Sequence, residues 1–133
     1  MEIKFIFINL LFFYISFSQT NEKITTIETV EVLNNNREEA IYYFQNNWKS
    51  LREKAVERGY IHSYAIMEST YSDKTPFHIT LLTTYTNEEQ HKNREAHFAE
   101  LIKESDGLKL LNEKKPTEFR KSVFSIDAAK HLK

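Results

Sequence analysis

A change of hydrophobic period at Gly59 constrains this chain more than any other feature. Before it, Ile41, Phe44, Trp48, Leu51 and Ala55 recur at steps of three, four, three and four, which sets them on one face of a helix. Lys49, Glu53, Lys54 and Glu57 fall outside that stripe and read as its wet side. Asn36 and Glu39 have the spacing of a capping box, with Asn in place of Ser or Thr, and so predict the helix start. Arg58-Gly59 is a helix stop, because glycine accepts the left-handed conformation that closes the last turn. Behind it the period becomes two: Tyr60, His62, Tyr64, Ile66 and Glu68 share one face of a strand predicted over Tyr60–Thr70.

Other segments supply the partners. Ile24–Leu33 is rich in β-branched residues and predicts a first strand. Ser72-Asp73-Lys74-Thr75-Pro76 is a turn cluster, and Phe77–Tyr85 beyond it is a third strand in a hairpin with the second. Thr86 and Glu89 suggest a second capping box, opening a helix from about Asn87 to Glu104. Its apolar stripe is Phe98, Leu101 and Ile102, and the same line drawn backwards meets Arg94, Glu95 and His91. Leu108–Lys115 is a connection with room for a short helix, Phe119–Ile126 is the last strand, and Asp127–Lys133 is expected as a tail.

Strand, helix, strand, strand, helix, strand is the order of two split βαβ units. It predicts an α+β, ferredoxin-like βαββαβ domain, with a four-stranded antiparallel sheet and two helices on one face. The other sheet face then lacks cover, and apolar residues on both strand faces point to a second copy as that cover. Homodimer formation is therefore the expected partnership.

The N-terminus is a separate matter. Phe5–Phe17 is apolar apart from Asn9 and Ser16, follows Lys4 and precedes small residues, the layout of a secretory signal over residues 1–18 with cleavage after Ser18. At thirteen residues the run falls short of the roughly 20 that a membrane span needs. The expected product is a single domain over residues 19–133, exported to the periplasm or the extracellular space, with no stable membrane anchor. There is no cysteine, so such a domain must be held by its core rather than by disulfides. A net charge of −1, unchanged by removing Glu2 and Lys4 together, gives no basic footprint for nucleic acid.

Several segments resemble a known group. Tyr42-Tyr43-Phe44 through Trp48-Lys49-Ser50-Leu51-Arg52, Gly59-Tyr60-Ile61-His62-Ser63-Tyr64, Leu110-Leu111-Asn112 and Lys115-Pro116-Thr117-Glu118-Phe119-Arg120 are similar to small, uncharacterised exported proteins of Bacteroidota. The order of elements and the uncovered sheet resemble the dimeric α/β-barrel superfamily, in which two ferredoxin-like subunits set their sheets face to face around a cavity. The superfamily resemblance implies a fold and a dimer, and the likeness to the Bacteroidota group names no activity.

Candidate ligand-binding residues are His62, Tyr64 and Glu68 on one strand face, His78 on the next strand and Arg94 on the buried line of the second helix. If Glu68 pairs with His78 across the hairpin, Tyr64 faces Leu82 and the wall is both polar and apolar; a one-residue slip changes every partner. A histidine beside a carboxylate is a general base or a metal ligand in principle, and an ordinary cross-strand pair in most sheets. His91 and His97 stand six apart, off any common helical face, so no metal site and no cofactor is expected from the five histidines. With Gly59 and Gly107 the only glycines, phosphate loops and nucleophile elbows are excluded. Lys114, Lys115, Arg120 and Lys121 read as a solvated basic patch.

Three functions fit these residues. The first is binding of a small, partly apolar ligand in the barrel. The second, implied by the resemblance to the dimeric α/β-barrel superfamily, is a cofactor-independent oxygenase or isomerase like other members, with His62 or His78 as base and Arg94 orienting an anionic substrate. The third is a non-catalytic interaction protein of the cell envelope.

Overall fold

The computed structural model describes residues 22–133, and the expected signal segment over residues 1–18 lies outside them. In chain order these residues form β1 (Ile24–Val32), a long helix over residues 37–57, β2 (Ser63–Glu68), β3 (Ile79–Tyr85), a helix pair, a short helix and β4 (Arg120–Lys130). The long helix consists of α1 (Arg37–Tyr43), a π turn (Phe44–Trp48) and α2 (Lys49–Glu57). The pair is α3 (Glu88–Lys92) and α4 (Arg94–Glu104), and the short helix is α5 (Pro116–Phe119). All strand pairs are antiparallel, in the order β2-β3-β1-β4. This is the α+β, ferredoxin-like arrangement that the order of elements predicts.

The hairpin register decides which side chains meet the helices. Tyr64 lies opposite Thr83, Ile66 opposite Leu81 and Glu68 opposite Ile79, one position away from the Glu68–His78 pairing. Partners across a ladder share a face, so β2 turns Tyr64, Ile66 and Glu68 toward the helices. Their contacts agree: Tyr64 packs edge-on to Trp48, and Glu68 accepts a salt bridge from Arg37 at 2.9 Å. Binding in a barrel formed by facing sheets would need Tyr64 and Glu68 on the uncovered face, and that expectation is corrected: both lie on the helix side. Ser63, Ala65 and Met67 occupy the bare face instead, beside Thr80, Leu82 and Thr84 of β3. β1 adds Thr25, Ile27 and Thr29, and β4 adds Phe124, Ile126 and Ala129.

Two apolar clusters lie under the helices. One joins Val30, Ala40, Phe44, Ile79, Leu81 and Phe119, and the other joins Ala55, Ile61, Tyr85 and Leu101. Among the described residues no helix lies over the bare face, and Met67, Phe124 and Ile126 remain between 44% and 48% exposed there.

Local signals read in the sequence were displaced where the tertiary structure offered better partners. Asn36 is the N-cap of α1 but makes no capping bond; its amide donates to the Glu118 carbonyl and accepts from Lys114. Glu39 is likewise taken by Lys114 and Asn112, and the lysine bond holds its carboxyl below the usual range. Asn34 and Asn35 adopt positive φ, which asparagine tolerates better than most residues. The second box forms one residue late, with Asn87 accepting from the Gln90 N–H and Gln90 from the Thr86 N–H. A break at Asn93 divides the second helix, and the expected tail Asp127–Lys133 belongs to β4 as far as Lys130.

Gly59 behaves as its position predicts. With φ at +69°, it donates to Val56 at 3.0 Å, and Tyr60 donates to Ala55 at 2.8 Å, the paired bonds of a Schellman motif. A Cβ there would meet nothing within 4 Å. Gly59→Ala is therefore expected to destabilise the domain by about 1–2 kcal/mol through backbone strain alone. Gly59→Asn should lose less, and urea denaturation of the two variants checks the ranking.

Candidate functional site

The pattern of the long helix changes where it passes over the sheet. The π turn takes the hydrogen-bonded loop from four residues to five, a departure found often at functional sites. It presents Asn47 to the 105–109 loop, where Asn47 Nδ2 donates to the Lys109 carbonyl and the Lys109 N–H donates to Asn47 Oδ1, both at 2.7 Å. The loop is thereby held beside the helix. Between them opens a pocket of about 370 Å³, with Tyr43, Trp48, Leu51, Ile102 and Leu108 as apolar wall and Ser50, Arg52, Lys54 and Lys109 among its polar lining. A second space of about 140 Å³ lies toward the sheet, against Glu28, Thr83 and Ser125. Trp48 and Arg52 border both.

Arg52 is the centre of this region. Its guanidinium is held between the Trp48 and Phe98 rings, 4.3 Å from each centroid, and its Nε donates to Thr83 Oγ1 at 3.3 Å. Burial brings its pKa down to about 10, against the opposing influence of Tyr85 and Glu28, so it stays charged at neutral pH. Burial also raises the Tyr85 hydroxyl. Glu28 accepts from Ser122 Oγ.

The sequence-derived candidates do not converge on one point. His62 precedes β2 and is exposed, with its N–H donating to the Thr84 carbonyl at 2.7 Å. Tyr64 lies under Trp48, and Glu68 is paired with Arg37. His78 accepts from the Val32 N–H at 2.9 Å through Nδ1, which occupies the lone pair a base would use at that nitrogen. Arg94 grips Asp127, with Nη2 3.0 Å from both carboxylate oxygens, and also donates to the His91 carbonyl. Glu68 and His78 thus stand near the Val30–Val32 end of β1, while His62 and Arg94 stand near Thr25. Six residues of strand separate those ends by roughly 20 Å.

Arg52 is masked in the sequence by the apolar stripe beside it. It stands four residues after Trp48 and three before Ala55, so it shares that stripe's side of the helix. An arginine four residues from the lone tryptophan was the available signal.

A scan against protein-family models and a search of the curated proteins found no match. Two solved structures are similar in fold. HapK from Hahella chejuensis has a TM-score of 0.49 at 12% identity, over 82% of this chain and 92% of that one. An uncharacterised NIPSNAP-like domain protein from Burkholderia xenovorans has a TM-score of 0.48 at 11% identity, over 85% of this chain and 86% of that one. The assignment of the fold rests on the sheet order and register set out above. Among the described residues, no helix is long and apolar enough to cross a membrane, and no group of three or more His, Asp and Glu side chains could hold a metal.

Proposed function

We propose that the chain is an exported binding protein that works as a homodimer and holds a small, partly apolar molecule in the pocket between the long helix and the 105–109 loop. The pocket carries this reading: its volume of about 370 Å³ lies within the range of small-molecule sites, and its wall is aromatic and aliphatic with a few polar groups. Export rests on the apolar N-terminal run, and dimer formation on the bare apolar sheet face.

Trp48 is the only tryptophan and borders the pocket, so its fluorescence reports directly on occupancy. Small aromatic compounds added to the purified domain should change that emission with saturation. They should also raise thermal stability, by about 2.7 kcal/mol at a hundred times the dissociation constant. A varied panel that leaves both signals flat at millimolar concentration would instead favour the non-catalytic envelope interaction protein.

A further inference from the structure

Resting on that pocket, we infer that Arg52 is an oxyanion receptor and that the bound molecule is a small carboxylate with a ring-sized apolar body. The argument starts from what the guanidinium still lacks. Arginine has five N–H donors in a planar fork. Here the two faces of the fork are covered by Trp48 and Phe98, and one donor goes to Thr83. Neither Nη nitrogen has a hydrogen-bond acceptor among the described residues, and neither is sealed from solvent. No ion pair joins Arg52 to a described carboxylate.

A partly buried cation normally acquires a partner, because ring contacts replace only part of its lost hydration. Glu28 influences Arg52 through space but accepts from Ser122, and Asp127 is clamped by Arg94. The two rings hold the fork in place before anything binds. What remains is a pre-oriented edge, the geometry that takes a carboxylate through two parallel bonds. The pocket's charge agrees, since Arg52, Lys54 and Lys109 line it against Asp106 alone. An apolar body would lie along Trp48 and Leu51 while its carboxylate meets the Nη edge.

Benzoate and its neutral isostere benzamide separate this inference from the pocket reading. Each is titrated into the full domain while Trp48 emission and the thermal midpoint are followed. Benzoate should bind about tenfold or more tightly than benzamide, the advantage of a charge-assisted pair over a neutral one. In Arg52→Gln the two should become equal, Arg52→Lys should keep only part of the preference, and Lys92→Gln, a surface change on α3 outside the pocket lining, should leave it intact. Equal binding of both compounds by the unaltered protein overturns the carboxylate assignment and leaves the pocket standing. Binding of neither overturns both for ligands of this size. A preference abolished by Lys54→Gln but kept in Arg52→Gln would move the receptor away from Arg52. If Arg52→Gln fails to fold, Arg52→Lys decides, because a preference that it keeps in full overturns the assignment to Arg52.

Discussion

Replacing Phe44 with alanine is expected to destabilise the domain by about 3–5 kcal/mol, the range for removing a fully buried aromatic ring. Phe44 is 2% exposed and packs with Val30, Ile79, Leu81 and Phe119, while the Tyr43 ring meets it edge-on at 5.1 Å. It therefore ties the π turn to two central strands and to the segment leading into β4. Collapse around the gap is restricted, because rigid elements approach it from three sides. Domains of this size have total stabilities of about 5–15 kcal/mol, so a loss of this order is a large share of the whole. The thermal midpoint should fall by roughly 10 °C or more. A fall of under 2 °C would mean that this cluster does not hold the helix to the sheet.

Ile126→Asp is expected to convert a dimer into a folded monomer. Ile126 lies opposite Ile27 on the bare face, 44% exposed, with Met67 and Phe124 exposed on the same face. A two-fold interface sets a patch against its own copy, so one substitution brings two carboxylates into an apolar contact. The net charge of −1 offers no general repulsion between copies of the unaltered chain. Light scattering on a sizing column should give twice the chain mass for the unaltered domain and the chain mass for the variant, with the same far-ultraviolet circular dichroism. A monomeric unaltered domain at 100 μM, or an undiminished dimer in Ile126→Asp, would remove the sheet face from consideration.

The order of elements was legible because each depends on a local period. The steps from Ile41 to Ala55 define a helix whatever surrounds it, and Gly59 ends that helix through its own conformational freedom. The facing of β2 was not legible. Its two faces carry similar mixtures, Tyr64, Ile66 and Glu68 against Ala65 and Met67, and the choice between them depends on how Tyr60, Ile61 and His62 leave the helix cap. One residue more or less in that connection would exchange the faces. The candidate site was hidden for a related reason. Arg52 reads as surface until the rings of Trp48 and Phe98 are brought together, and Phe98 belongs to α4, 46 positions along the chain.

The π turn also works as a phase-setting insertion. A five-residue loop holds one peptide more than the α-helical turn it replaces. Were the same residues to run through as regular α structure, everything beyond would rotate by about 100° relative to α1. Ala55, 0% exposed against Leu101, would swing out of its cluster, and Arg52 would leave the space between Trp48 and Phe98. That single extra residue couples the packing of the second cluster to the aim of the guanidinium. A helix made regular through this turn could not preserve one and discard the other.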